Sequence, residues 1–83
     1  MRIVINSRIS RDFIIDSDGR LRTPMYFEKL SDNAKGIYKI MLGSDKKEYT
    51  FENISEIALK QAGDLANGLA ELSDNNYVEI FEQ

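Results

Sequence analysis

The 83 residues include neither His nor Cys, and 30% of them are charged. The chain therefore lacks the commonest neutral-pH acid–base group, thiol nucleophile and zinc ligands, so we expect neither catalysis nor a bound metal or other cofactor. Its longest apolar runs span three residues, as at 3–5 and 13–15, far short of the about 18 needed to cross a bilayer. This composition predicts one small globular domain, and the absence of Cys together with an early polar segment favours a cytoplasmic location.

The charges are distributed unevenly along the chain. Residues 1–47 hold ten of the eleven Lys and Arg residues and six of the fourteen acids, for a net charge of +4. Residues 48–83 hold a single base, Lys60, and eight acids, for a net charge of −7. The basic half favours an anionic partner such as nucleic acid, whereas the acidic half repels one.

The first 29 residues have the pattern of short strands. Alternating or apolar runs indicate strands at residues 2–6, 12–15 and 20–23. Between the last two, Gly19 supplies the positive φ of a tight hairpin turn. Pro24 cannot donate to a strand ladder and should end the third strand. We therefore predict an extended N-terminal segment that contains a β-hairpin.

Three helices follow, each with apolar residues at the spacing of one buried face. Ser31 and Thr50 are suited to the N-caps of the first two helices. Gly43 is suited to the left-handed position that closes a helix, and the Asn75–Asn76 pair can close the third in the same way. The predicted helices cover residues 31–42, 51–59 and 64–75. The predicted core comprises Leu30, Ile37, Tyr38, Met41, Ile54, Ile57, Leu65, Leu69 and Leu72.

Residues 77–81 alternate as a strand should. A strand without a neighbour exposes unpaired backbone groups and is liable to pair with other chains. We predict that an N-terminal strand, at residues 3–5 or 13–15, pairs with it. The pairing is either within one chain or between the two chains of a homodimer.

The order helix, short strand, helix, turn, helix, strand is that of a winged helix. Residues 30–38 (LSDNAKGIY) resemble the first-helix motif of winged-helix domains in phage and plasmid replication initiators, and residues 69–80 (LAELSDNNYVEI) are similar to the end of their recognition helix and the start of the wing. The resemblance covers residues 24–81. It implies an α+β winged helix with a three-helix helix-turn-helix core, in which the N-terminal β-hairpin completes a small antiparallel sheet. Residues 1–29 and 30–83 would then form a single domain.

The resemblance implies a DNA-binding regulator or replication accessory of phage or plasmid type. Under this hypothesis double-stranded DNA is contacted by the basic half, because Lys and Arg neutralise phosphates. Amide side chains at the groove-facing positions of the third helix would read adenine. The predicted contact residues are Arg8, Arg11, Arg20, Arg22, Lys35, Lys39, Lys46, Lys47, Gln61 and Asn67.

The charge pattern supports a second hypothesis. No Lys or Arg lies between Gln61 and Gln83, so nothing on the predicted reading helix neutralises phosphate. An acidic surface of this kind mimics phosphate and docks on a basic host protein that normally binds nucleic acid. The chain would then be a phage-type inhibitor, such as an anti-CRISPR or another DNA mimic. The predicted contact residues are Asp64, Glu71, Asp74 and Glu79.

Overall fold

The computed structural model describes residues 1–44 and 46–82. In chain order, its elements are β1 (Arg2–Ile5), α1 (Ser7–Ser10), β2 (Ile14–Ile15), β3 (Leu21–Arg22), a 3-10 helix (Met25–Lys29), α2 (Asp32–Gly43), β4 (Glu48–Tyr49), α3 (Phe51–Ala58), α4 (Ala62–Asp74) and β5 (Val78–Phe81). The architecture is α+β, as the sequence predicts. Helices α2 to α4 and one face of a small antiparallel sheet enclose the core. None of the helices among the described residues has the length and apolarity that a membrane span requires.

The three long helices begin at or near the predicted residues. The Ser31 hydroxyl caps α2 by accepting a hydrogen bond from a backbone N–H, and Thr50 forms a reciprocal capping box with Asn53 at α3. Helix α4 begins at Ala62, two residues earlier than predicted.

The ends of the helices confirm one predicted closing position and correct another. Asn76 follows α4 with a φ of 67°, as predicted. Gly43 instead remains inside α2, and Ser44 ends that helix with a φ of −94°. The Ser44 hydroxyl donates a hydrogen bond to the Met41 carbonyl at 3.1 Å. In a left-handed closure, a backbone N–H would satisfy a carbonyl at this end of the helix, and here the hydroxyl does so. Leu59 ends α3 with a φ of 53°, although leucine rarely adopts this conformation.

Strand β1 lies at the centre of a three-stranded antiparallel sheet with the order β4-β1-β5. Ile3 pairs with Tyr49 on one side and with Ile80 on the other. This register confirms that an N-terminal strand pairs with residues 77–81, and the pairing is within one chain. The predicted role of the hairpin is wrong. Strands β2 and β3 do pair, but they form a separate two-stranded sheet, and Ile14 and Ile15 of β2 are exposed.

Eight of the nine predicted core residues are buried, and Ile57 is the exception at 42% exposure. The buried face of α3 runs through Phe51, Ile54 and Ala58, so Ile57 lies beside this face and not on it. The prediction assigns Ile57 to the buried face because it lies three residues after Ile54. In the structure, Ile57 lies outside that face and is partly exposed.

A cluster of aromatic rings that no periodicity predicts completes the core. Phe13 packs edge-to-face on Phe27 at 4.9 Å and on Tyr38 at 5.0 Å, and Tyr38 packs on Tyr77 at 5.1 Å. Such pairs each contribute about 0.5–1.5 kcal/mol beyond area burial. Residues 1–29 are therefore not purely extended. They include α1 and a 3-10 helix, and the cluster holds them against α2.

Helices α2 and α4 come into close contact at Gly68. Gly68 is buried, and a Cβ atom built there would overlap Cδ1 of Ile37 and lie 3.1 Å from Nδ2 of Asn33. The same Nδ2 donates to the Asp64 carbonyl at 2.7 Å. The absence of a side chain at position 68 is what allows the two helices to approach.

We expect Gly68→Ala to lower the free energy of unfolding by about 1–3 kcal/mol, because the buried Ile37 side chain has little room to move. Gly63→Ala is the matched control in the same helix. Nothing lies within 4 Å of a Cβ at position 63, and alanine favours helix, so stability should be unchanged or higher. Urea denaturation followed by circular dichroism measures both. Equal effects of the two substitutions would contradict this packing.

Candidate functional site

Predicted contact residues come together around Leu42, in the C-terminal half of α2. A cleft of about 200 Å³ at Leu42 is bordered by Ser7 and Ser10 of α1 and by the lysines that follow α2. A second cleft, of about 170 Å³, shares Leu42 and is bordered by Lys39 and by Gly19 of the hairpin turn. Lys39, Lys46 and Lys47 thus border the two clefts directly, whereas Arg8, Arg11 and Arg20 are close in sequence to residues that line them. The basic surface is defined here as the exposed residues Arg8, Arg11, Arg20, Lys39, Lys46 and Lys47.

The cations of the basic surface make no ion pair within residues 1–44 and 46–82. The Lys39 ammonium lies 6.0 Å from the centre of the Phe27 ring, at the outer limit of a cation–π contact. Arg8 borders a groove that also contains Glu79. Lys46 borders a cleft that also contains Glu56 of α3. Arg11, Arg20 and Lys47 are exposed and can meet an anionic ligand.

Two predicted contact residues are instead paired with carboxylates of the same chain. Lys35 Nζ lies 3.2 Å from Glu28 Oε1 and 3.5 Å from Asp32 Oδ1, and its side chain is only 18% exposed. The hydrogen bond to Glu28 raises the pKa of Lys35. Arg22 Nε lies 3.6 Å from Asp16 Oδ2. Lys35 therefore cannot contact phosphate without giving up a carboxylate partner, whereas the Arg22 side chain is 77% exposed and its charge is only partly offset by Asp16.

Two side chains that sequence reasoning missed hold the basic segments in place. The Asp16 carboxylate accepts hydrogen bonds from the backbone N–H groups of Asp18 and Arg20, both at 3.0 Å, and so fixes the hairpin turn. The Asn6 side chain accepts from Arg8 N–H at 3.0 Å and donates to the Asn76 carbonyl at 2.8 Å. An Asp or Asn residue directly before a turn or a short helix is the sequence feature that predicts such hydrogen bonds.

The two predicted base-reading amides lie away from the basic surface. Asn67 is exposed on α4, and Gln61 precedes that helix without a capping bond from its side chain. Helix α4 contacts the N-terminal half of α2 through Asn33, whereas the basic surface surrounds the C-terminal half. The structure therefore does not place the amides and the cations in one site.

The predicted acidic contact residues differ in their surroundings. Both carboxylate oxygens of Glu71 are used inside the fold, where they accept hydrogen bonds at 2.7 Å from the N–H and the hydroxyl of Ser31. These bonds hold the pKa of the Glu71 carboxyl below its usual value. Asp64, Asp74 and Glu79 are exposed. Glu71 thus ties α4 to the N-terminus of α2, and the other three remain accessible.

Acidic clusters and tyrosine hydroxyls are the remaining groups with chemistry of their own. Residues 1–44 and 46–82 contain no group of three acidic side chains arranged to hold a metal ion. Partial burial and a hydrogen bond to Asp12 raise the pKa of Tyr26 to about 12, and burial raises the pKa of Tyr38 and Tyr77 as well. These hydroxyls are therefore protonated at neutral pH and supply no phenolate.

No protein-family model, curated protein or solved structure matches this chain. The exposed charged surfaces described above are therefore the structural observations from which a function can be inferred.

The Glu71–Ser31 contact gives a pH-dependent prediction. Because the folded-state pKa of Glu71 is lowered, its contribution to stability is complete above the pKa of an unfolded Glu, about 4.3. It is lost as the pH falls through the lower folded-state value. Glu71→Gln should therefore reduce the free energy of unfolding at neutral pH, and the difference from wild type should shrink in acid. Thermal denaturation between neutral pH and strong acid measures this.

Asp74→Asn is the control for that measurement. It removes a negative charge from the exposed C-terminal end of the same helix, where a carboxylate opposes the helix dipole. It should cause no loss of stability at neutral pH. A Glu71→Gln deficit of the same size at every pH would mean that the Glu71 charge contributes nothing.

Proposed function

We propose that the protein is a small, non-catalytic DNA-binding module of winged-helix type that contacts double-stranded DNA through the basic surface. The observation that carries this proposal is a set of six exposed cations without an ion pair in the described part of the chain, three of which border the clefts at Leu42. Such cations bind phosphates and release condensed counterions. A regulator or replication accessory of phage or plasmid type is the role that the sequence resemblance supports.

The element order supports the winged-helix assignment. Strand β4 lies between α2 and α3, and β5 follows α4, as the strands of that fold do. Strand β1 pairs with both and occupies the place of a second wing strand. In the sheet, β1 takes the position predicted for the hairpin. The hairpin forms a sheet of its own, and its residue Arg20 belongs to the basic surface.

DNA in this proposal lies along α1, the hairpin and the C-terminal half of α2. It does not lie along α4, because the exposed Asp64 and Asp74 would repel phosphate. Gln61 and Asn67 then make no base contact. Binding should consequently depend strongly on salt and weakly on sequence, since phosphate contacts carry no sequence information.

Matched pairs of cations test this proposal. Arg20→Ala and Lys39→Ala together should weaken duplex binding and reduce the salt slope by about two phosphates. Arg22→Ala and Lys35→Ala remove the same charges from the same elements, but these cations already have carboxylate partners, so their loss should matter less. Fluorescence anisotropy of a labelled duplex across salt concentrations measures both. Undetectable duplex binding at low salt, or equal effects of the two pairs, would refute the proposal.

The exposed acids of α3 and α4 support a second candidate function, an inhibitor that docks on a basic nucleic-acid-binding host protein. Glu52, Glu56, Asp64 and Asp74 are exposed and make no ion pair in the described part of the chain. Such a surface attracts a cationic groove over long range.

Asp64→Lys combined with Asp74→Lys separates the two candidates. If DNA is the ligand, duplex affinity should rise, because a repulsive charge becomes attractive. If the acids are the binding surface, neither wild type nor variant should bind duplex at low salt. In that case the wild type alone should bind an immobilised polylysine surface in a salt-sensitive manner.

A further inference from the structure

The turn between α3 and α4 presents an exposed apolar side chain in an unfavourable backbone conformation. Leu59 is 89% exposed and has a φ of 53°. A left-handed residue with a Cβ atom costs conformational energy, and an exposed side chain makes few internal contacts that would offset it. Ile57, two residues earlier in the chain, is 42% exposed. The exposed acids Glu56 and Asp64 lie on either side of Leu59 in sequence, and the half-buried base Lys60 directly follows it. Glu56 also borders a cleft with Lys46 of the same chain. Residues 56–64 are called the tip below.

The hairpin and α2 enclose an apolar cleft that nothing in the described chain fills. Its volume is about 170 Å³, several times the roughly 30 Å³ that a water molecule occupies in the liquid. Ile15, Leu21 and Leu42 line it, yet Ile15 remains 71% exposed. Lys39 borders this cleft. The cleft that shares Leu42 is bordered by the lysines after α2.

We propose that the tip of one copy of this chain docks in the hairpin cleft of a second copy. The apolar side chain of Leu59 would enter the cleft, where it would cover Ile15 and Leu42. Glu56 and Asp64 of the tip would then lie near the cations that border the cleft. The tip carries the two acids and the single base Lys60, so its net charge is −1 and is opposite to that of the lysines that border the clefts. This charge match, together with the apolar one, is the argument for a second copy as the occupant.

The contact is heterologous, because it joins two different surfaces. Each docked copy still has one unused tip or cleft, so further copies can add to it. The association is therefore open and produces linear oligomers of increasing size. The surfaces involved are small, and small interfaces are weak and transient. Self-association should therefore require high protein concentration and low salt.

The inference does not depend on the proposed DNA binding, although the two are linked. Lys39 belongs to the basic surface and also borders the cleft. A docked tip would cover this part of the basic surface, and bound duplex would exclude the tip. Self-association would consequently keep the basic surface covered until nucleic acid competes for it.

Sedimentation velocity of the purified chain, up to about 1 mM at low salt, tests the proposal. Wild type should show an average mass that rises with concentration and falls with added salt. Leu59→Asp and Ile15→Asp should each be monomeric. Both positions are highly exposed, so circular dichroism should show that the variants are folded. Met25→Asp is the matched control. It changes a 91% exposed apolar residue outside both surfaces and should associate as wild type does.

An equimolar mixture of Leu59→Asp and Ile15→Asp is the decisive sample. One variant retains its cleft and the other retains its tip, so the mixture should form a 1:1 heterodimer and nothing larger. The proposal is wrong if the wild type stays monomeric or if the mixture stays monomeric. It is also wrong if the Ile15→Asp variant associates alone through paired tips. Equal loss of association in Met25→Asp would also overturn it. Leu59→Asp keeps the basic surface, so its duplex affinity reports on DNA binding separately.

Discussion

The packing of α2 against α4 is the constraint on which the arrangement of the whole molecule depends. Three contacts hold the N-terminal half of α2: the close approach at Gly68, the bond from Asn33 to the Asp64 carbonyl and the bonds from Ser31 to Glu71. They lie along one side of α4. Because only that half of α2 is covered by α4, its C-terminal half is left to carry the hairpin and α1.

The separation of charge is only partial in space. Glu52, Glu56, Asp64 and Asp74 are exposed on α3 and α4, but Asp12 and Asp18 are exposed near Arg11 and Arg20, and Lys46 borders a cleft with Glu56. Local ion pairs involve Lys35 and Arg22. The charge asymmetry is therefore carried by residues that take no part in internal ion pairs of the described chain, which is consistent with a role in binding and not in stability.

The sequence predicted the long helices because their signals are local. Ser31 and Thr50 are caps that satisfy N–H groups a few residues away, and the apolar stripes repeat within one element. Contacts between distant residues had no such signal. Ser31 and Glu71 are 40 residues apart, and the need for glycine at position 68 exists only once two helices meet.

The candidate site was predictable in residue type but not in arrangement. Sequence reasoning named every cation of the basic surface, yet it could not say which cations are already paired. A partial signal existed for Lys35, since Asp32 lies at the three-residue spacing that allows an ion pair on a helix. Arg22 pairs with Asp16 across the hairpin turn, and that contact depends on the fold.

The central position of β1 has a consequence for how the chain acquires its structure. Residues 2–5 must find residues 78–81, which are separated from them by nearly the whole chain, before the three-stranded sheet exists. Contacts this distant in sequence slow folding, because loop closure costs entropy before any pairing offsets it. During synthesis, β1 is translated before β5 and must wait for it. The helices can form early, but the sheet requires β5, so the domain should fold only after β5 has been translated.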